Sequence, residues 1–289
     1  MELLYISKWG GLLNLTDNQY CWLVNVDGMT TANTDISAIV IGGIDGDIIN
    51  NIQAQPRGII FDLRIKSSVN VENAKRSILE VIKLKQKCTL QWTQNERTLT
   101  IKGIVDTITM PRFNNAVSMQ VSIHCEQPFW EDLNEILSEI SEAKNLHYFT
   151  DDPYGMLYFP DGEGIPLGEY DTSRTRTFYN AGDVAVGMTI EVLAYDTVTN
   201  PIIYDQSGNF FGVGYGSKSL VMSAGDTLLI NTKAGEKSVT LNGVSQLDKV
   251  KPLSTWLQLE AGQNEFSINS DDSAVDNMVF TLMYKQRYI

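Results

Sequence analysis

The sequence lacks the features that mark membrane-spanning, secreted and disulfide-bonded proteins. No apolar run comes near the roughly 20 residues that a membrane-spanning helix needs. The first residues do not combine a basic start with an apolar stretch and a small-residue cleavage site. Three cysteines, Cys21, Cys88 and Cys125, form no CxxC pair among 289 residues. We therefore expect no membrane span, no secretion signal, and buried free thiols in a protein that folds in a reducing cytoplasm.

Histidine is equally scarce, which restricts catalytic and metal sites. His124 stands beside Cys125 in an alternating strand, where neighbouring side chains face opposite sides, so the two do not form a nucleophile–base pair. His147 has no serine or cysteine motif around it. No HExxH motif, Cys/His cluster or complete calcium loop occurs. We therefore predict no catalytic, cofactor-binding or metal-binding residue, and we expect a protein that is not an enzyme.

The short acidic and glycine-rich motifs have simpler interpretations as turns. Asp45-Gly-Asp47 begins like a calcium loop but lacks the later ligands, so it is interpreted as a turn. Asp151-Asp152 and Asp161-Gly-Glu163 are typical of solvated acidic loops. Gly212-Val-Gly214-Tyr-Gly216 has neither the spacing of a dinucleotide-binding loop nor a helix behind it.

Charge is distributed unevenly along the chain. Residues 1–130 hold 12 Lys+Arg and 12 Asp+Glu, whereas residues 131–289 hold 10 basic and 23 acidic residues, so the second half carries the whole net charge of −13. Eleven of those acids and one base lie within 131–171. Such a step in composition predicts a domain boundary. No basic stripe is present, which argues against specific nucleic-acid binding.

The first 130 residues show mostly strand patterns and one helix. A period of two and many β-branched residues predict strands, and Asn70 is a suitable N-cap for a helix over 71–84 with one apolar face. Asn95-Glu96 predicts a short turn between the two strands of a hairpin. The predicted strands are 20–26, 36–41, 60–66, 89–94, 97–102 and 116–125.

The second half predicts an antiparallel sandwich that follows a short acidic helix. Residues 131–141 are amphipathic and begin with acids, which suit a helix N-terminus. Beyond them, strands alternate with Gly, Asn and Asp turns about every ten residues. We therefore expect a mainly β protein with a domain at 1–130, an acidic helix and linker at 131–153, and a β-sandwich domain at 154–289. The predicted strands are 176–179, 188–195, 227–230, 238–241, 256–259, 265–268 and 278–283.

Trp256 is the one candidate for a sugar-binding platform, because aromatic rings on a sandwich can stack on glycans. It stands alone in Ser254-Thr-Trp-Leu-Gln-Leu259, which alternates like a strand. A single tryptophan does not make a platform, so the core interpretation is favoured over the glycan contact.

A series of turn-and-strand motifs in the second half resembles a known family. Thr177-Phe-Tyr-Asn-Ala-Gly182 is followed by Gly225-Asp-Thr-Leu-Leu-Ile-Asn-Thr232, then by Ser254-Thr-Trp-Leu-Gln-Leu-Glu-Ala-Gly-Gln-Asn264 and a final strand. In the first half, Arg57, the helix, the Trp92 hairpin and Pro128-Phe-Trp130 follow in order. This ordered set resembles the distal tail proteins of long-tailed phages, over nearly the whole chain.

The resemblance implies a structural virion protein of the phage tail tip, assembled in the cytoplasm of the bacterial host. The N-terminal domain would be a split β-barrel-like domain with one helix, related to tail-tube subunits. The C-terminal domain would be a jelly-roll or galectin-like antiparallel β-sandwich. Six copies would form a ring, with strands near 36–41 and 59–66 and the helix at 71–84 near its interface. The partners would be further copies of the chain, the tail tube protein, the tail-tip hub or tail-associated lysin protein, and in some phages a receptor-binding protein.

Two functional expectations follow from this resemblance. A ring at the tail tip lets DNA pass, and a first domain without basic excess suits that role. The acids Glu135, Glu139 and Glu142 could form a partner-facing rim, where charge sets register. The alternative function is a carbohydrate-binding or receptor-binding module that acts through the C-terminal sandwich, with Trp256 as its first candidate contact.

Overall fold

The computed structural model describes residues 2–43, 45–110, 117–139, 143–144, 169–170, 175–274 and 277–289. Within them the chain forms two compact units. The first comprises Met1–Asn134 together with Arg287–Ile289, and the second comprises Glu135–Gln286. The chain therefore leaves the first unit once and returns to it with its last three residues.

The described residues of the first unit form ten strands and one helix before the chain leaves it. In chain order these are β1 (Glu2–Ser7), β2 (Leu12–Asn14), β3 (Cys21–Asp27), β4 (Thr34–Ile39), β5 (Ile48–Ala54), β6 (Arg57–Ile65), α1 (Val71–Val81), β7 (Lys87–Gln94), β8 (Arg97–Thr109), β9 (Ser118–Cys125) and β10 (Trp130–Asp132).

One antiparallel sheet forms the body of this unit. Its strands follow the order β2-β1-β7-β8-β9-β6-β3, and within the described residues the path does not close on itself. Strand β6 shows how the sheet is packed, because Ile59, Phe61, Leu63 and Ile65 alternate with more exposed residues and face the core. The predicted split, barrel-like β domain with one helix is confirmed.

Helix α1 covers the core side of the sheet, and its N-cap is the predicted one. The Asn70 side chain accepts hydrogen bonds from the backbone N–H groups of Glu72 and Asn73. Ala74 and Ile78 are buried on the inward face of the helix. The helix is three residues shorter than predicted, because the backbone of Ile82 is already extended.

The second unit contains β11 to β26. In chain order these are β11 (Ile136–Glu139), β12 (Ala143–Lys144), β13 (Glu169–Tyr170), β14 (Thr175–Asn180), β15 (Val186–Gly187), β16 (Thr189–Ala194), β17 (Val198–Thr199), β18 (Ile202–Asp205), β19 (Phe210–Gly212), β20 (Val221–Met222), β21 (Thr227–Asn231), β22 (Ser238–Leu241), β23 (Val244–Ser245), a 3-10 turn (Leu247–Lys249), β24 (Gln258–Leu259), β25 (Gly262–Asn269) and β26 (Met278–Tyr284).

Two antiparallel sheets form the sandwich of the second unit. One has the order β11-β26-β16-β21-β22-β23 and the other the order β14-β25-β18-β19. Ile190 and Phe280 from the first sheet share one buried cluster with Phe178, Phe211 and Phe266 from the second. This shared core confirms the predicted antiparallel β-sandwich.

The helix predicted at 131–141 is wrong where the structure describes that range. Strands take its place: β10 pairs with β8 and with β27 (Arg287–Tyr288), and β11 pairs with β26. Sheet edges that offer hydrogen bonds outweigh the amphipathic pattern of so short a segment. Residues 140–142 and 145–153 of the predicted linker lie outside the described residues. The predicted division at 1–130, 131–153 and 154–289 stays a prediction.

Candidate interaction surfaces

The β4–β5 hairpin is the most unusual surface of the first unit. Its two strands pair with each other and with no other described strand. Every described residue from 33 to 56 is exposed. Seven large aliphatic side chains are among them: Ile36, Ile39, Val40, Ile41, Ile48, Ile49 and Ile52. An isolated two-stranded hairpin is only marginally stable in water. An exposed apolar patch of this size is typical of an interaction surface.

Charge on this hairpin has one sign. Asp35, Asp45 and Asp47 are its only charged residues between 30 and 56. Native edge strands are often protected from pairing with a second chain by charged residues, lysine above all, or by bulges. The strands of the hairpin carry one charge, Asp35, one register shift between Ser37 and Ala38, and no lysine, so most of its apolar surface and strand edge is open to a partner.

The base of the hairpin is held firmly by the first unit. Gly28 has a φ of 81°, and a Cβ at that position would lie 2.0 Å from the carbonyl oxygen of Gly58. The Arg57 Nη1 donates to the Met29 carbonyl oxygen at 3.2 Å, and the Trp130 Nε1 donates to the same oxygen at 3.3 Å. The hairpin therefore projects from a fixed base.

Arg57 makes this base costly to disturb. The residue is buried, and burial lowers the pKa of its guanidinium. Its Nε and Nη2 atoms have no hydrogen-bond partner within the described residues. A buried cation with few partners is costly, so moving the Met29 carbonyl away from Arg57 would leave its charge without compensation.

The last strand closes the first unit beside β10. Arg287 donates to the Glu131 carboxylate through Nε at 2.8 Å and Nη2 at 2.7 Å. The Tyr288 hydroxyl lies 3.0 Å from the Asp132 carboxylate, and burial together with this hydrogen bond raises the pKa of Tyr288 to about 12. The Arg97 guanidinium lies 3.5 Å from the centre of the Tyr288 ring. Paired charges thus fix the chain terminus to its own unit.

The three thiols are buried and free, as predicted. Burial raises the pKa of Cys88 to about 12 and that of Cys125 to about 11, and it also raises the pKa of Cys21. A thiol in this state is a poor nucleophile. His124 is exposed while Cys125 is buried, so the two neighbours face opposite sides of the sheet, as the alternation predicts. His147 lies outside the described residues.

Of the acidic and glycine motifs, Asp45-Gly-Asp47 lies in a loop, and Gly212-Val-Gly214-Tyr-Gly216 begins at the last residue of β19. Asp45 and Asp47 flank Gly46 in the loop that joins β4 and β5. A Cβ at Gly214 would lie 1.9 Å from the Asn200 Oδ1, so this glycine is required by close packing. The motifs at 151–152 and 161–163 lie outside the described residues. In the described ranges, no three His, Cys, Asp or Glu side chains could hold a metal ion together, and no helix is long and apolar enough to span a membrane.

Trp256 lies just before β24 and is half-buried. Its ring centre is 4.8 Å from that of the core residue Phe211, and the Lys237 Nζ is 5.4 Å from the same ring. The ring therefore offers a sugar only part of its surface. A glycan contact at Trp256 stays a prediction.

The structure places one of the three predicted rim acids in an ion pair. The Glu135 carboxylate lies 2.8 Å from the Lys233 Nζ. The Glu139 side chain and Glu142 lie outside the described side chains. The predicted acidic rim therefore also stays a prediction, with part of the Glu135 charge compensated within its own unit.

Comparison with known proteins identifies the second unit. Residues 181–288 match a family model described as the siphovirus-type tail component, C-terminal domain. The tail-component domain confirms the relation to phage distal tail proteins that the sequence motifs predict. A tail component is part of the phage particle, in agreement with the predicted location in the virion.

Solved structures extend the similarity to the whole fold. The crystal structure of the SPP1 Dit protein (gp 19.1), described as a paradigm of the hub adsorption apparatus in phages that infect Gram-positive bacteria, covers 99% of this chain and 99% of its own. Its TM-score is 0.70 at 12% sequence identity. The phage P2 baseplate in its activated conformation with Ca is less similar, with a TM-score of 0.46, 13% identity, and coverage of 100% and 99%. A search of curated protein sequences gave no match. Both units therefore share their fold with a Dit protein.

The sequence patterns alone do not mark the hairpin as a surface, although the family resemblance implies that residues 36–41 lie near the ring interface. Residues 36–41 are predicted as a strand, but β5 is not predicted at all. Its signal is present in Ile48-Ile-Asn-Asn-Ile52, a β-branched run between Asp47 and Pro56.

Proposed function

We propose that this chain is a distal tail protein, a structural component without enzymatic activity, whose copies form a closed ring of six. The ring would join the tail tube to the tail-tip hub and let DNA pass. Two observations support a role of this class: the tail-component domain at residues 181–288, and a fold shared with SPP1 Dit over 99% of the chain.

The observation that carries the ring is the β4–β5 hairpin. An apolar hairpin with free edges and a fixed base needs a partner, and a second copy presents sheet edges and apolar surface of its own. A contact between two different surfaces of identical chains is heterologous, and it generates a ring when the rotation closes. The hairpin of one copy would therefore pack on the first unit of the next.

Mutation of the hairpin tests this proposal. The variant Ile36→Ser, Ile49→Ser, Ile52→Ser removes three exposed aliphatic side chains, so we expect chains that fold with an unchanged melting temperature but remain monomeric. The wild type should give six-fold rings in electron micrographs, with a mass of six times 32.3 kDa by light scattering.

The matched control carries Val221→Ser, Val244→Ser and Leu247→Ser, three similarly exposed apolar residues of the second unit. Rings that survive the hairpin substitutions, or that are lost equally in the control, would contradict the assigned interface. A wild-type chain that stays monomeric at every concentration, or that forms a closed ring of another symmetry, would contradict the six-membered ring.

The acidic rim is the second part of the proposal. Glu135, Glu139 and Glu142 would set register against a partner, so their replacement by glutamine should weaken attachment of the ring to the hub or tube. Tail assembly that proceeds unchanged with this triple variant would remove the rim from the proposal. The ring itself would be unaffected by that outcome.

A further inference from the structure

Two tight turns lie side by side at one end of the first unit. In the turn between β1 and β2, the Gly10 N–H donates to the Ser7 carbonyl oxygen at 3.0 Å. In the turn between α1 and β7, the Gln86 N–H donates to the Lys83 carbonyl oxygen at 3.2 Å. A hydrogen bond of 3.1 Å from the Lys8 N–H to the Lys87 carbonyl oxygen joins them. We call residues 7–12 and 83–87 the twin-turn end.

The twin-turn end carries three large exposed apolar side chains. Trp9 and Leu84 lie in the turns and are 80% and 53% exposed, and Leu12, the first residue of β2, is 58% exposed. Turn tips normally carry Gly, Asn, Asp or Ser, because these residues suit the backbone and the solvent. Lys85 even adopts a φ of 60°, a conformation in which glycine or asparagine is common. The folding of this unit gives no reason for exposed tryptophan and leucine here.

Four lysines surround these apolar side chains. Lys8, Lys83, Lys85 and Lys87 are all exposed, and within the described residues none of them forms an ion pair. The Lys8 Nζ lies 5.4 Å from the centre of the Trp9 ring. The surface is therefore positive in a chain whose net charge is −13.

Glu80, in the last turn of α1, lies 3.4 Å from Arg76 and is therefore paired with a cation of its own helix. Cations after a helix end are favoured by the helix dipole, which explains some of the lysines. It does not explain their convergence with Lys8 and Trp9 from another turn.

An apolar centre with a basic rim fits an acidic protein segment. Nucleic acid would also attract the lysines and can stack on Trp9, but Leu12 and Leu84 offer bases no stacking surface, and the chain has no further basic stripe along which a backbone could run. A protein segment can bury Trp9 and Leu84 while its carboxylates meet the lysines. Tryptophan is enriched at the centres of such interfaces.

We propose that the twin-turn end docks the acidic stretch 131–171 of a second copy of this chain. This inference rests on the self-association proposed above. The stretch contains eleven acids and one base, so each copy supplies the complementary surface in equal number. Glu131, Asp132 and Glu135 already pair with cations of their own chain, so the remaining acids of the stretch would make the contact.

Zero-length cross-linking of a mixture of labelled chains tests the contact. Unlabelled and fully ¹⁵N-labelled full-length chains are mixed at high dilution, concentrated together and treated with a carbodiimide, which joins lysine amines to carboxylates in direct contact. We expect mixed-isotope peptides that link Lys8, Lys83, Lys85 or Lys87 to residues 131–171. The Lys233–Glu135 pair should give same-isotope peptides only, because its 2.8 Å contact lies within one chain.

A charge variant supplies a second measurement. Replacing Lys8, Lys83, Lys85 and Lys87 by glutamine should raise the dissociation constant for self-association about tenfold, with a weaker effect at high salt. The control replaces Lys218, Lys237, Lys249 and Lys251, which removes the same charge from the second unit.

The outcomes separate this inference from the proposed ring. Oligomers without mixed-isotope links at the twin-turn end, or equal effects of the two charge variants, would overturn the docking but leave the ring standing. Same-isotope links from the twin-turn end would also overturn it, because the stretch would then dock within its own chain. If rings survive the hairpin substitutions while mixed-isotope links are present, the hairpin interface is overturned and the docking stands.

Discussion

Two hairpins of the first unit have similar strands and opposite surroundings. The β7–β8 hairpin lies in the middle of a sheet, with β1 on one side and β9 on the other, and its residues Leu90 and Ile101 are buried. The β4–β5 hairpin has no neighbour among the described strands, and its isoleucines are exposed. Both are antiparallel and rich in β-branched residues.

The difference shows that strand propensity does not decide what a hairpin stabilises. For β7–β8, the apolar side chains find their partners in the same chain, so their burial contributes to folding. For β4–β5, the fold provides only a clamped base at Gly28 and Arg57. The gain from burying its side chains therefore becomes available only when another chain covers it.

The largest expected effect comes from truncating one residue in each hairpin. Leu90→Ala should lower the free energy of unfolding of the first unit by about 3 kcal/mol, because it leaves a cavity in the core. Ile52→Ala should change it by less than about 0.5 kcal/mol, since Ile52 is exposed. Urea titration followed by tryptophan fluorescence measures both, because four of the five tryptophans lie in this unit. Ring formation should show the reverse order of sensitivity in light scattering. Equal losses of stability in both variants would remove the distinction between the hairpins.

A smaller loss is expected at the base of the exposed hairpin. Gly28→Ala places a methyl group against the Gly58 carbonyl and forces alanine into a positive φ, so we expect a loss of about 2 kcal/mol in the same titration. Gly46→Ala is the control, because Gly46 also has a positive φ but has open space around it. A cost at Gly46 as large as at Gly28 would mean that backbone strain alone, and not the close approach, accounts for the effect.

Local sequence patterns predict the elements whose information is local. The Asn95-Glu96 turn, the Asn70 cap and the strand Ser238–Leu241 are all found where the patterns place them. The failure at 131–141 has a non-local cause, because the partners that convert it into strands are Thr100, Tyr284 and other residues far along the chain.

The candidate surfaces escape sequence analysis for a related reason. A strand pattern does not reveal whether its neighbour lies in the same chain, so Ile36 looks like an ordinary core residue. Lys8 and Lys87 are 79 positions apart in sequence, and only the pairing of β1 with β7 brings them together. The family resemblance, carried by an ordered set of turns, predicts the class of protein and an interface near residues 36–41, but it predicts neither β5 nor the twin-turn end.

Alkaline pH should lower the free energy of unfolding by about 1 kcal/mol through the β7–β8 hairpin, and not through the β4–β5 hairpin. Cys88 in β7 has a pKa raised from 9.0 to about 12, so its contribution to stability is complete below pH 9 and is lost as the pH rises towards 12. At pH 10 the unfolded thiol is already ionised, which costs the native state about 1 kcal/mol relative to pH 8. In urea titrations, the free energy of unfolding of Cys88→Ala should fall between pH 8 and pH 10 by about 1 kcal/mol less than that of the wild type.

The β4–β5 hairpin contains no cysteine, tyrosine, lysine or histidine between residues 30 and 56. The contact made by the hairpin itself should therefore depend little on pH between 8 and 10. If Cys88→Ala loses as much stability as the wild type between pH 8 and pH 10, ionisation of Cys88 does not contribute to the alkaline loss.

The smallest expected effect is a gain in stability at the turn of the buried hairpin. Asn95 and Glu96 both have positive φ values, 49° and 66°, as a two-residue turn of this kind requires. Glutamate is strained there, and glycine is not, although glycine adds entropy to the unfolded chain. Glu96→Gly should therefore stabilise the first unit by about 0.5 kcal/mol in the urea titration. Glu96→Ala removes the same carboxylate without relieving the backbone, so it should give no gain. Ring formation should be the same in both, because this turn strengthens the hairpin that folds the unit and leaves the exposed hairpin unchanged. An equal gain from alanine would mean that the charge of Glu96, and not its backbone conformation, limits the stability of the turn.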